Sequence, residues 1–440
     1  MIYLGDYWGF VIQSYIRMIS RIYIIPKGND VRGGLYVGVF KELGLSGKIS
    51  SVVIFDSYLI SHKLSDSKLL QAAQALTNPI IEDFSIDKIP KKFLEKCDHV
   101  IEIGFLPGVT DNVGSTTRET MTDLLHLKDT DDLSVYTFKI FLICGSISSD
   151  DTNKIALSLH NPLIERVFIL GNKKNVMVNL PLVVPIVNLK KRTPVIEVSL
   201  KVEEAELIKI GKEGIMDQSG TRRGPLALDL RSMQTISKYF AGLKRNPTDI
   251  ELESLAQTWS EHCKHTIFAN PIDDIKDGLY KTYIKGATNK IRVQKGKKDF
   301  CVSVFKDNSG GIIFDKDHII THKVETHNSP SALDPFGGAI TGIVGVNRDV
   351  IGFGLGAKPV ANTYGFCFGE PGDMAPLFRD KDKKQKMLSP LRIMKGVIKG
   401  VNVGGNCSGI PTLSGFTRYD DRFRGKPLVF VGTVGIIPKK

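Results

Sequence analysis

The chain has 440 residues, 42% of them hydrophobic and 24% charged, which is too long for one hydrophobic core and excludes a disordered or membrane-embedded class. The 59 Lys and Arg against 47 Asp and Glu leave a net charge of +12; the bases are scattered among acids, so the excess is read as a bias toward anionic ligands, with nucleic acid not expected as a partner. Six single cysteines (Cys97, Cys144, Cys263, Cys301, Cys367, Cys407) form neither a Cys-x-x-Cys pair nor a dense secreted pattern, which points to a reducing cytoplasm.

Residues 1–17 open an apolar stretch that Asp6, Arg17 and Arg21 interrupt, so the uncharged run is too short for a membrane helix. Translation is expected to begin at Met18, making 1–17 a non-native extension. Residues 18–170 contain a repeat. "IIPKGNDVRGGLYVGVFKELGL", "SVVIFDSYLI" and "QALTNPIIEDFSI" return as "IGFLPGVTDNVGSTTRETMTDLL", "VYTFKIFLIC" and "LSLHNPLIERVFI", anchored by Pro26 with Pro107 and by Asn78-Pro79 with Asn161-Pro162. Each copy, about 20–88 and 100–170, reads strand, helix, strand, helix, Asn-Pro break, strand. That order suits a small antiparallel sheet with helices on one face. Neither copy carries a His, Cys and acid constellation, so the domain reads as a scaffold.

Residues 171–225 read as connecting structure, with β-rich runs and glycine-containing turns. Residues 226–268 then predict two helices. Met233, Ile236, Phe240 and Leu243 form the apolar stripe of the first; Thr248 and Glu251 form a capping box for the second, whose face is Leu252, Leu255, Ala256 and Trp259. The second helix delivers "SEHC", and a helix C-terminus favours a protonated histidine, so His262 is a candidate proton carrier.

Within 269–440, "IITHKVETHN" reads as a strand with Lys323, Glu325 and His327 on one face. Burying those three together is costly without a ligand. Glycines 337, 338, 342, 345, 352, 354 and 356 surround Arg348 and Asp349; they offer close approach to phosphate oxygens, while Glu325 and Asp349 are hard oxygen donors. Neither a P-loop nor a G-x-G-x-x-G fingerprint occurs.

"AQTWSEHCKHTIF", "KVETHNSPSALDPFGGAITGIVGVNRDVIGFGLGAKPVAN" and "GGNCSGIPTLSG...PLVFVGTVGIIP" together resemble phosphoribosylformylglycinamidine synthase, over roughly Asp229–Lys440. The repeat resembles two fused copies of that enzyme's small accessory subunit. The resemblance implies a multidomain α+β and α/β fold: a duplicated scaffold, a helical linker and one aminoimidazole ribonucleotide synthetase-like N-terminal domain at 269–440. It also implies ligase chemistry of purine biosynthesis, in which formylglycinamide ribonucleotide, ATP and glutamine-derived ammonia give the amidine, ADP and phosphate.

Carried across on matching positions, the resemblance makes His262 and His327 catalytic, with His327 as proton acceptor. His265 and Lys323 become nucleotide contacts, Thr326, His327, Asn328, Ser329 and Arg348 substrate contacts, and Glu325 and Asp349 ligands of Mg2+. Two departures stand out: Ser329 where many members have His, and His265 where many have Tyr. The family continues into a second homologous half, so that half is an expected partner, and its glutaminase nucleophile has no match here. Cys263 and Cys407 are read as structural, leaving ammonia to a glutaminase partner. The competing readings are a non-catalytic assembly scaffold, another ATP-using superfamily member such as a selenophosphate synthetase or thiamine-monophosphate kinase, and a nucleic-acid-binding module. "SEHC" with "VETHN" argues against the second of these, and the lack of an aromatic-basic stripe against the third.

Overall fold

The computed structural model describes residues 19–97, 99–128, 133–170, 180, 182–187, 194–217, 220–259, 265–380 and 382–439, without the His265 side chain. The expected extension 1–17 and the "SEHC" motif lie outside the described residues. Two compact units divide the chain, one of residues 188–301 and one of the remainder.

In the larger unit, β1 (Ile19–Pro26), α1 (Val31–Glu42), β2 (Ile49–Ser61), α2 (Asp66–Leu76) and β3 (Glu82–Ile86) are followed by a short α3 (Lys91–Leu94). The same order then returns as β4 (His99–Phe105), α4 (Asn112–Leu124), β5 (Val135–Gly145), α5 (Ser149–Leu159) and β6 (Glu165–Leu170). The six strands form one antiparallel sheet in the order β3-β1-β2-β5-β4-β6, so the two repeats meet at β2–β5.

The same local devices build both copies. Asp30 and Asp111 cap α1 and α4, and each carboxylate also accepts a backbone N–H of the next strand, from Ile54 and from Thr137, both at 2.7 Å. Ser65 and Ser148 cap α2 and α5. Alternation sends Ile22 and Ile24 toward a cluster that includes α2 and α4, and Tyr23 and Ile25 toward the other face, where Ile89, Phe93 and Leu180 cover them. Arg21 and Glu102 form a buried ion pair between the two repeats.

In the smaller unit, α6 (Glu204–Glu213), α7 (Leu230–Gly242) and α8 (Asp249–Trp259) enclose Leu207, Ile210, Met233, Ile236, Phe240, Leu252 and Ala256; α9 (His265–Ala269) and α10 (Gly286–Lys295) follow. The Thr248–Glu251 capping box forms: the Glu251 carboxylate accepts from Thr248 N at 2.8 Å, and Thr248 Oγ1 accepts from Glu251 N at 3.2 Å. Helix α6 was not expected from the sequence. Its acidic first turn and the Gly214 at its end are ordinary helix signals inside what read as connecting structure.

The second sheet comprises β7 (Cys301–Ser303), β8 (Gly310–Ile313), β9 (His318–Thr326), β10 (Lys358–Phe368), β11 (Thr412–Tyr419) and β12 (Leu428–Pro438), ordered β11-β10-β12-β9-β8-β7. Between them run α11 (Asn328–Leu333), α12 (Pro335–Ile351) and α13 (Pro390–Gly404). Ala339, Ile343 and Val346 of α12 and Ile393 and Val397 of α13 bury against Tyr364, Phe366, Val429 and Val431 of the sheet.

Candidate active site

Strand β9 is β-branched and alternates, so Lys323 and Glu325 share a face. Their partners across β12 are Thr433 and Val431. Helix α12 crosses that face and brings Asp349 to them. Lys323 Nζ lies 3.0 Å from Glu325 Oε1 and 3.1 Å from Asp349 Oδ2, with the lysine only 22% exposed. Burial works against the Lys323 ammonium, but the hydrogen bonds and charges of Glu325 and Asp349 outweigh it, so its pKa lies above the ordinary lysine value.

His327 departs from the strand reading. Strand β9 ends at Thr326, and His327 stands at the N-cap of α11, where Pro330 is tolerated because first-turn N–H groups have no intrahelical partner. Its backbone N–H donates to Val429 O at 2.9 Å, and its carbonyl accepts from Ser331 Oγ at 2.6 Å. The next residue repeats the anchorage, as Asn328 Oδ1 accepts from Val429 N at 2.8 Å. The His327 Nδ1 is buried and has no hydrogen-bond partner among the described residues. An unpaired buried polar atom of this kind costs on the order of 1–3 kcal/mol unless a ligand or water satisfies it.

Gly338 and Gly342 have a packing role. Gly338, Gly342 and Gly345 lie inside α12, where their amides belong to the helix rather than to a phosphate loop. A Cβ on Gly342 would stand 3.0 Å from the His327 Cβ, and one on Gly338 would stand 2.7 Å from Ser331 N. These glycines let α11 and His327 approach α12. Gly354 and Gly356 do adopt positive φ, in the turn after α12.

The remaining expected substrate contacts lie at the surface. Thr326 alternates to the face opposite Glu325, and Ser329 and Arg348 are exposed. His262 lies outside the described residues; His265 begins α9. A polar group under the site had no signal in the sequence. The fully buried Thr433 hydroxyl lies 2.6 Å from Asn347 Oδ1 and 2.8 Å from Asn362 Oδ1. Those three residues come from β12, α12 and β10, and pairing of β10 with β12 together with the packing of α12 on the sheet assembles them.

Residues 218–265 match the family described as formylglycinamide ribonucleotide amidotransferase linker domain, and residues 306–437 match AIR synthase related protein, N-terminal domain. Over these residues the chain is similar to phosphoribosylformylglycinamidine synthase PurL subunits. The PurL-like region is 33% identical over 219 residues to the phosphoribosylformylglycinamidine synthase subunit PurL of Thermoplasma volcanium, covering 50% of this chain and 25% of that one. The Thermoplasma acidophilum subunit is 35% identical over 217 residues, covering 49% and 25%. The chain thus spans about a quarter of the length of these curated relatives. Among solved structures, Thermotoga maritima PurL complexed with FGAR aligns at 26% identity and a TM-score of 0.31, over 47% of this chain and 26% of that one. No described helix is long and apolar enough to cross a membrane.

Proposed function

We propose that the chain supplies the first nucleotide- and substrate-binding half of a C–N ligase that converts formylglycinamide ribonucleotide to its amidine. The reading is carried by the meeting of Lys323, Glu325 and Asp349, with Glu325 two residues before His327, whose buried ring nitrogen has no partner among the described residues. An amide oxygen is a poor leaving group until ATP phosphorylates it. Ammonia then forms the new C–N bond, and the C–O bond breaks to release phosphate.

In this reading Lys323 contacts the nucleotide, and His327 takes the proton that the attacking ammonia gives up. Asn328, held by β12, aligns the substrate with Thr326, Ser329 and Arg348. His262 acts as the second catalytic residue and His265 as a nucleotide contact. Two carboxylates that both reach one ammonium fit a partial ligand set for Mg2+, so Glu325 and Asp349 would hold it, with nucleotide phosphates and water as further ligands. When bound, the ion would spread the charge of the transferred phosphoryl group. Ammonia would come from a glutaminase partner, a second synthetase half would complete the site, and the cytoplasm is the proposed location.

The test is ADP release from formylglycinamide ribonucleotide, Mg-ATP and an ammonium salt, by the chain alone and with a second-half polypeptide. His327→Ala is expected to lower the rate by about 10²–10⁴-fold. Folded protein that stays silent in both arrangements supports the assembly-scaffold reading instead.

A further inference from the structure

The two repeats are built alike, but among the described residues only the second repeat's Asn-Pro corner packs against the second-sheet domain. Asn161 Nδ2 donates to Leu333 O at 2.7 Å, and the Arg392 guanidinium of α13 donates to the carbonyls of Leu157 and His160 at the end of α5. Leu163 packs against the core that contains Ile393, and Glu42 of α1 pairs with Lys395 at 2.9 Å.

The repeat alignment places Asn78 opposite Asn161, Ile80 opposite Leu163, the carbonyls of Gln74 and Thr77 opposite those of Leu157 and His160, and Asp123 opposite Glu42. Much of the local build is shared by the two corners, although Lys27 Nζ donates to Pro79 O at 2.7 Å in the first, where the second has Gly108. Asn78 Oδ1 accepts from Ile80 N, and Asn161 Oδ1 from Leu163 N, both at 3.1 Å. Glu82 accepts from Asn78 N at 2.9 Å, as Glu165 does from Asn161 N at 2.5 Å. Even the side-chain contact to the last helical turn repeats: Thr77 Oγ1 donates to Ala73 O, and His160 Nδ1 to Ala156 O, both at 2.6 Å. Yet Ile80 is 83% exposed, where Leu163 is packed, and Asp123 is also exposed.

We propose that the Asn78–Ile81 corner, with Asp123, is a second docking site, and that its occupant is another domain built like residues 302–437. Two helix-end carbonyls, a carboxylate and one apolar side chain call for the groups that meet them in the occupied corner: a guanidinium and an ammonium on one helix, beside an apolar seat. The chain's own Arg392 and Lys395 are engaged by the second repeat and Glu42, so the occupant is a further domain rather than this one. The inference rests on the proposed function for the nature of that domain, but its test reads binding and not turnover, so the two fail separately.

The probe is the intact PurL subunit of Thermoplasma acidophilum, titrated with the full 440-residue chain in an analytical ultracentrifuge. A complex is expected with the unaltered chain. Ile80→Asp should weaken it at least tenfold, while Ile80→Leu, which installs the side chain of the docked repeat, should leave it as tight or tighter. Asp123→Lys should weaken it several-fold at low salt and less at high salt. Ile80 is too exposed for these substitutions to disturb folding. No complex with the unaltered chain, or an Ile80→Asp chain that binds equally well, would overturn the proposal.

Discussion

Lys323 is held between two carboxylates at 3.0 and 3.1 Å while only 22% exposed. On the proposed function its ammonium is positioned for nucleotide phosphates before any arrive, and hydrogen bonds to charged groups contribute roughly 1.5–3 kcal/mol. Lys323→Met is therefore expected to weaken ATP binding by about 10–100-fold by calorimetry. Unchanged affinity would remove the lysine from the nucleotide site. The pairing with Glu325 was legible because a strand alternates. Asp349 was legible as a separate oxygen donor, but not as the second partner of this lysine, since it arrives from α12.

Among the elements, α12 carries two glycines with opposite environments. A Cβ on Gly338 would stand 2.7 Å from Ser331 N, whereas one on Gly345 would meet nothing within 4 Å. Gly338→Ala should destabilise the chain by roughly 1–3 kcal/mol through forced backbone shifts. Gly345→Ala should stabilise it by about 0.5–1 kcal/mol through helix propensity. Urea titration separates the two, and equal effects would contradict the packing role. The capping box of α8 makes a pH prediction. Glu251 accepts from Arg245 and from the Thr248 backbone, which lowers its pKa from 4.5 to about 2. Its folded pKa is depressed, so its stabilisation is present above pH 4.5 and is lost as pH falls through about 2. Glu251→Gln should flatten that part of a Tm-against-pH curve; an unchanged acid limb would show that the cap contributes little. Such a box is visible in sequence because its partners lie within one helical turn.

At the scale of the molecule, the repeats have become partners to each other rather than to themselves. Asp56 stands directly opposite Lys139 where β2 meets β5, at equivalent positions of the two copies; two copies of the first repeat would oppose Asp to Asp. Buried Arg21 pairs with Glu102, whose pKa is raised by burial despite the attraction of Arg21. Arg21→Met should cost about 3–5 kcal/mol by leaving that carboxylate buried and unpaired, and adding Glu102→Met should recover most of the loss. A double variant no more stable than the single one would mean that the pair is not what holds Arg21 in place.

The sequence by itself determined what depends on near neighbours: the repeated strand-helix order, the Asn-Pro corners, the capping box of α8, the Lys323–Glu325 alternation, and the motifs that mark the PurL-like region. Each rests on hydrogen bonds or side-chain periodicities spanning a few residues, so composition and spacing carry it. Tertiary structure decided what depends on distant chain: that Asp349 meets Lys323, that glycines of α12 make room for His327, that Thr433, Asn347 and Asn362 converge under the site, and that the apolar residue of one Asn-Pro corner is packed while that of its twin is exposed. Those facts follow from strand register and helix crossing, which arise from the summed burial of many weakly specific apolar contacts and have no short-range signature.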